Sequence, residues 1–233
     1  MKRVLLTAVA VVTFSAPGFA APPAGVFNWS GFYIGGNAGY GWNDRDRSIM
    51  IVNNLGGTAT GPGLDATGPF GGAQLGWNWQ TGAWVLGLET DFQLSAISAN
   101  VGPVLIGANS FKDEKGINWF GTVRGRVGYS FGQLLVYGTG GLAYGEVGNN
   151  IFVNAVANPR ADQTKIGYVA GGGFEWMLDR MWSAKVEYLH MDLGHSTGLT
   201  APVIPPNGVT IFVNPLNNKA DLVRIGLNYK FGS

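Results

Sequence analysis

The chain has 233 residues, carries a formal charge of +1 with only 12% charged residues, and contains no cysteine. The lack of cysteine excludes a disulfide framework and a thiolate metal site, and near-neutrality argues against a nucleic-acid partner. Glycine, at 38 residues, is more than twice the usual share of about 7%, yet it is spread through alternating segments such as Gly71-Gly72-Ala73-Gln74-Leu75-Gly76 and is not gathered into a linker.

The first twenty residues read as an export signal. Lys2 and Arg3 form a basic start, Val4 to Phe14 an apolar run, and Gly18-Phe19-Ala20 a small-x-small cleavage site. The apolar run is about half the ~20 residues a spanning helix needs. We therefore divide the chain into a signal peptide, residues 1–20, and one domain, residues 21–233. Without Lys2 and Arg3, 13 of the 15 basic residues remain against 14 acids, a formal charge of about −1. An exported domain without disulfides needs another stabiliser, and a closed hydrogen-bonded sheet in a bilayer is one.

Eight runs with period-2 alternation follow. The first begins in Trp29-Ser30-Gly31 and places Phe32, Ile34, Ala38 and Tyr40 on one face. The second, Pro69 to Trp79, alternates Ala73, Leu75, Trp77 and Trp79 with Gln74, Gly76 and Asn78. The third, Trp84 to Leu94, turns Trp84, Leu86, Leu88, Phe92 and Leu94 one way and Glu89 and Asp91 the other. In the fourth, Ile117 to Phe131, Trp119, Val123, Val127, Tyr129 and Phe131 oppose Asn118, Thr122, Arg124, Arg126 and Ser130. The fifth, Leu134 to Gly148, is apolar at both parities, so its facing stays open. The sixth, Lys165 to Leu178, sets Ile166, Tyr168, Ala170, Phe174 and Trp176 against Gly167, Gly171, Gly173 and Glu175. The seventh, Trp182 to Leu193, sets Ala184, Val186, Tyr188 and His190 against Ser183, Lys185 and Glu187. The eighth, Ala220 to Phe231, sets Val223, Ile225, Leu227, Tyr229 and Phe231 against Arg224, Gly226, Asn228 and Lys230.

The connections are asymmetric. Links after runs two, four and six have about two to four residues, whereas 43–68, 95–116, 149–164 and 194–219 read as long loops. Short turns at one rim, long loops at the other and an even strand number are the pattern of an outer-membrane barrel. The fold expected is all-β: an eight-stranded antiparallel up-and-down transmembrane β-barrel with short periplasmic turns and long extracellular loops. Trp77, Trp79, Trp84, Phe131, Trp176, Trp182, Tyr229 and Phe231 gather beside the short turns as an interfacial girdle would. In the last long loop, Val203 to Val213 carries an Asn-Gly turn signal between apolar arms and reads as a hairpin prolonging the strands, or as an adhesive patch.

In this fold the apolar parity meets lipid and the polar parity faces the interior. Glu89, Asp91, Arg124, Arg126, Glu175, Lys185, Glu187, Arg224 and Lys230 then form an interior charge network. Buried charge must be paired, so we expect Glu89 or Asp91 with Arg124 or Arg126, Glu175 with Lys185, and Glu187 with Arg224. The network reads either as a structural plug or as a conduit setting ion preference. An eight-stranded barrel is just wide enough for its own side chains, which favours the plug.

Nothing in the sequence assembles catalysis. His190 shares its parity with Asp192 near the loop-side rim but has no recognisable serine partner, and His195 stands alone in a loop. Two separated histidines make no transition-metal site. Asp44 to Arg47 and Lys112 to Lys115 alternate in sign as solvated tips do, and Gly138-Thr139-Gly140-Gly141 lacks the spacing and helix of a phosphate loop. No cofactor, no metal and no enzyme activity are expected.

Two motifs, Trp29-Ser30-Gly31-Phe32-Tyr33-Ile34-Gly35-Gly36-Asn37-Ala38-Gly39-Tyr40-Gly41-Trp42 and Val223-Arg224-Ile225-Gly226-Leu227-Asn228-Tyr229-Lys230-Phe231, resemble the small α-proteobacterial outer-membrane β-barrel family, the outer-membrane immunogenic or opacity-like porin family. The resemblance runs over the mature chain. It implies an eight-stranded barrel in the cell outer membrane, with Leu227, Tyr229 and Phe231 in the C-terminal signal read by the outer-membrane insertion machinery. It also implies outer-membrane lipids as surroundings, a role in envelope integrity, and a host or surface ligand met through the loops. Some family members are described as haem-binding, but nothing here localises such a site. The family pattern ends on its aromatic residue, whereas Gly232 and Ser233 follow Phe231 here. A narrow passive diffusion porin and a loop-borne ligand or haem binder are the alternatives.

Overall fold

The last strand pairs with the first, which turns the sheet into a closed wall. The computed structural model describes residues 27–43, 49–53, 58–60, 66–106, 109–153, 156–159, 163–196, 199–202, 209–213 and 216–231. Its staves are β1 (Gly31–Trp42), β2 (Thr67–Thr81), β3 (Trp84–Ile106), β4 (Asn109–Phe131), β5 (Leu134–Val153), β6 (Gln163–Met177), β7 (Trp182–Ser196) and β8 (Leu216–Phe231). Each pairs antiparallel with its sequence neighbour, and β8 returns to β1 from Phe32↔Phe231 to Trp42↔Asp221. Within the closed wall each stave is paired on both sides, as a hydrocarbon surrounding demands. The expected all-β, eight-stranded antiparallel barrel is the observed architecture.

The three tight links are as short as expected. Gly82 and Gly132, each the first residue after its strand, take φ of 59° and 75°, the left-handed region that two-residue hairpin turns use. Between β6 and β7 the Asp179 carboxylate accepts from the backbone N–H of Met181 and Trp182, both at 2.7 Å.

At the other rim the sequence reading needs correction. The span expected as a loop over 95–116 is paired sheet: β3 and β4 each run 23 residues and meet again at Ile106↔Asn109. Pro103 and the glycines around it read as breakers, but register shifts after Leu94 and Val101 absorb them. Strand β5 likewise runs on to pair with Val156–Pro159. A second, four-stranded sheet is built from Leu199–Pro202, Val209–Val213, Ile49–Asn53 and Thr58–Thr60 in that order. This order repeats β7, β8, β1 and β2, from which these segments continue in sequence. The hairpin expected over Val203 to Val213 therefore has Leu199–Pro202 and Val209–Val213 as its arms, while its turn lies outside the described residues. So do the signal peptide, Asp44 to Arg47, Gly232 and Ser233.

Alternation assigns the faces. Phe32, Ile34, Leu75, Trp77, Leu88, Phe92, Val123, Phe174, Val186, Ile225 and Leu227 point outward and are exposed, a band suited to lipid. On β5, Leu135, Tyr137, Ala143 and Val147 are the buried, lumen-facing set, which settles the strand whose parity was ambiguous. Asn118, expected inward, is exposed and bonds Glu146 at 2.9 Å. A register shift between Ile117 and Trp119 flips parity there and turns Ile117 inward. At the short-turn rim, Trp84 with Tyr129, Trp182 with Tyr229, and Tyr229 with Phe231 make edge-to-face pairs at 5.4, 5.1 and 5.2 Å.

Trp29 departs from the expected strand. It precedes β1 and is buried at 2% exposure beneath the barrel with Val85, Leu135, Tyr137 and Met177. Its indole N–H donates to Ser130 Oγ at 3.0 Å and the Gly132 carbonyl at 3.2 Å, so it stoppers the short-turn end. A closed ladder of this kind resists detergent at room temperature. On a denaturing gel the unheated protein is expected to migrate apart from the boiled protein, and identical migration would contradict closure.

Candidate functional site in the barrel lumen

Inward parity on staves β3, β4, β6, β7 and β8 delivers four carboxylates and four cationic side chains to the mid-lumen. These are Glu89, Asp91, Glu175 and Glu187 facing Arg124, Arg126, Lys185 and Arg224, each at most 4% exposed. A closed barrel leaves an inward side chain nowhere else to go, so the period-2 pattern alone forces them together.

Glu89 is the hub. It bonds Arg124 through a very short contact, accepts from Lys185 Nζ at 2.9 Å on both oxygens and from Arg224 Nη2 at 3.1 Å, and lies 3.7 Å from Arg126. Tyr33 donates its hydroxyl to Glu89 at 2.6 Å and accepts from Arg126 at 3.0 Å. Asp91 Oδ2 takes Arg124 at 3.1 Å, Arg224 at 3.0 Å and the Thr122 hydroxyl at 2.8 Å. Glu187 accepts from Arg224 Nε at 2.6 Å, Arg124 Nη1 at 3.1 Å and the Tyr137 hydroxyl at 2.9 Å. Glu175 takes Arg126 at 2.6 Å, Ser183 at 2.6 Å and Asn228 at 2.8 Å. The Arg126 guanidinium also sits 4.2 Å from the Tyr137 ring centre, a cation–π contact.

The geometry meets the expected pairings of Glu89 and Asp91 with Arg124, and of Glu187 with Arg224. It corrects the third, Glu175 with Lys185, and the membership of Lys230. Lys185 lies directly opposite Glu175 in register, yet its ammonium crosses the lumen to both oxygens of Glu89. Glu175 goes instead to Arg126, whose planar fork reaches it while stacked on Tyr137. Lys230 is outside the cluster: it is half-buried at the short-turn rim and bonds the Asn28 backbone carbonyl. Leu227, Tyr229 and Phe231 share the outward face of β8.

Sequence reasoning missed the tyrosines and the layers around the charges. Tyr33 and Tyr137 complete the bonding of Glu89 and Glu187, and Gln74 links Asn37, at 2.9 Å, to Asn228, at 2.5 Å. Outward of the charges the lumen becomes apolar: Phe70, Ile97, Phe120, Leu189, Met191, Leu193, Ala220 and Leu222 form one buried cluster. The signal was present on β7, where Lys185 and Glu187 give way to Leu189, Met191 and Leu193 at unchanged parity.

The remaining candidates stay dispersed. His190 points outward, and its Nδ1 lies 2.8 Å from Asp221, not near Asp192; Asp221 also accepts from the Tyr188 hydroxyl at 2.7 Å. The side chain of His195 lies outside the described residues. Among the described residues no group of three or more His, Cys, Asp or Glu side chains is arranged to hold a metal ion.

With four charges of each sign, the cluster is neutral, and removing one partner leaves its opposites buried and unpaired. Glu89→Gln, which leaves four cations facing three anions, is expected to lower the unfolding free energy by about 3–5 kcal/mol. Pairing it with Lys185→Met, which restores balance, should recover part of that loss. Urea unfolding in lipid vesicles measures both, and equal destabilisation by the single and double variants would contradict a coupled cluster.

Comparison with known proteins agrees with this architecture. The outer membrane protein beta-barrel domain model matches residues 6–231. The chain is 38% identical over 251 residues to a 31 kDa outer-membrane immunogenic protein of Brucella melitensis, covering 99% of this chain and 100% of the relative. It is 30% identical to a 25 kDa outer-membrane immunogenic protein of Brucella abortus, covering 99% of each. Among solved structures it is similar to the outer membrane protein OprG of Pseudomonas aeruginosa, at 17% identity and a TM-score of 0.45, covering 88% of this chain and 97% of that one. With a closed eight-stranded wall, a lipid-facing apolar band and a family model spanning nearly its whole length, the chain belongs to the outer-membrane β-barrel protein family.

Proposed function

We propose that this outer-membrane barrel is a structural, non-conducting protein: it contributes to envelope integrity, presents its extracellular strands as a contact surface, and has an interior filled by its own side chains. The observation that carries the reading is the neutral cluster centred on Glu89, with side chains of seven other charged residues bonded across the lumen. An ion entering this space must displace charge-assisted bonds already made, and the stopper at Trp29 adds a second obstruction. The long β3–β4 hairpin and the four-stranded sheet support the contact role. They carry paired backbone well past the ~10 residues a stave needs to cross the bilayer. The two relatives bear the name immunogenic, which agrees with a surface-presented protein.

The same reading includes export by a cleaved signal peptide and assembly by the outer-membrane insertion machinery through Leu227, Tyr229 and Phe231. It involves no catalytic step and no cofactor. Outward exposure of these β8 side chains leaves them accessible while the strand is still unpaired, which supports their use as a signal.

Planar-bilayer recordings test the closed lumen. Purified wild-type protein is expected to give no reproducible current steps above a bare membrane, and regular steps would overturn the reading in favour of a narrow porin.

A further inference from the structure

On β3, β4, β7 and β8 the lumen-facing side chains turn from polar to apolar toward the loop-side rim. Going outward, Asp91 and Gln93 lead to Ile97 on β3, Thr122 leads to Phe120 on β4, Glu187 to Leu189 on β7, and Arg224 to Leu222 on β8. Phe70 and Phe120 meet edge to face at 5.3 Å. A Cβ placed on Gly41 would strike both Ile97 and Leu222, so these side chains fill the lumen against β1. Phe70, Ile97, Phe120, Leu189, Met191 and Leu222 are at most 5% exposed.

Beside and below this layer, with Gln93 on the same rung as Phe120, the lumen holds polar atoms that the protein leaves unpartnered. Among the described residues, buried side-chain atoms without a partner are Asn37 Oδ1, Asn78 Oδ1, Asp91 Oδ1, both amide atoms of Gln93 and Arg126 Nε, together with Asn43 Oδ1 just past β1. Gln93 is fully buried. Apart from Asn43, these atoms fall into two groups set by register. Asn37, Gly72 and Gln93 share one rung across β1, β2 and β3, and Asp91 lies one inward position below Gln93. Asn78, Gly87 and Arg126 share another rung across β2, β3 and β4. A Cβ on Gly87 would lie 2.3 Å from Asn78 Oδ1 and 2.8 Å from Arg126 Cγ, so an acceptor and a cationic side chain converge there. A cavity of about 10 Å³, lined by Asn78, Tyr33, Glu175, Ser183 and Lys230, opens this lower rung toward the short-turn rim beside Trp29. That is space on the scale of one water molecule. Orphaned polar atoms on both sides of the ion pairs carry the full cost of desolvation unless water reaches them.

We propose that the lumen binds internal water from the periplasmic side as far as Gln93, and that the apolar layer at Phe70, Ile97, Phe120, Leu189 and Leu222 is the seal to the outside. On this proposal the ion pairs bind the staves together and tolerate water, while the hydrocarbon layer excludes it, since a narrow apolar constriction closes by dewetting. The proposal rests on the closed-barrel reading and names the part of the lumen responsible for closure.

Osmotic shrinkage of vesicles, followed by light scattering, separates the possibilities. Wild-type protein is expected to leave water permeability at the protein-free level, and Glu89→Gln to leave it there too. The pair Leu189→Ser and Leu222→Ser is expected to raise it several-fold, with heat-dependent gel mobility confirming that the barrel forms. A rise with Glu89→Gln and none with the serine pair would overturn the proposal and make the ion pairs the seal. Wild-type protein that already leaks would instead overturn the closed-barrel reading itself. Where the serine variant fails to assemble, wild-type NMR decides. Water cross-peaks are expected at the Gln93 side-chain amide and absent at the Leu189 and Leu222 methyls, and the reverse pattern would overturn the proposal.

Discussion

Four carboxylates and four cationic side chains share a narrow buried space, and the rest of the structure is arranged so that their charges cancel. An isolated charge in such a space is prohibitive, and even a paired one returns its desolvation cost only with good geometry and extra hydrogen bonds. Glu89 meets that requirement by accepting from Lys185, Arg224 and Tyr33 as well as Arg124. Tyr137, Thr122, Ser183 and Asn228 do the same for Glu187, Asp91 and Glu175. The bonds of Lys185 to Glu89, Arg224 to Asp91 and Arg124 to Glu187 tie distant parts of the wall together. Closing β8 onto β1 completes the wall, and the barrel is narrow enough for these side chains to meet across it.

The layers on either side explain why a charged lumen is compatible with a closed protein. Trp29 and its neighbours narrow one end, and the Phe70–Phe120 layer covers the other. The wall is therefore apolar outside and stratified inside: hydrocarbon, then charge, then hydrocarbon. A polar lumen is the usual expectation for a membrane barrel, and here it holds only between the two apolar clusters. Beyond the membrane the strands continue as paired sheet, which gives the exposed region backbone order.

Much of this was legible in the residues because two constraints act locally. Period-2 alternation gave the staves and their facing, and Gly82 and Gly132 marked turns whose positive φ the backbone requires. The charge pairs between adjacent staves followed from register. What escaped was set across the lumen and not along the wall: Lys185 leaves its neighbour Glu175 for Glu89, and Arg126 takes Glu175 because Tyr137 holds its guanidinium. No one-dimensional pattern encodes which of several counter-charges a flexible side chain reaches. The strand extensions escaped for another reason. Pro103 and the clustered glycines signal interruption, whereas bulges let the ladder pass them. Asn118 failed similarly, since one extra residue reverses parity.

The choice made by Lys185 is the most direct test, because neighbour-by-neighbour pairing and a shared central hub give opposite answers. Solid-state NMR on protein in lipid bilayers, with labelled lysine side-chain nitrogen and carboxylate carbon, measures which glutamate the Lys185 ammonium touches. The account predicts a strong dipolar coupling to the Glu89 carboxylate, consistent with Nζ lying 2.9 Å from both its oxygens. A dominant coupling to the Glu175 carboxylate, with none to Glu89, would contradict it.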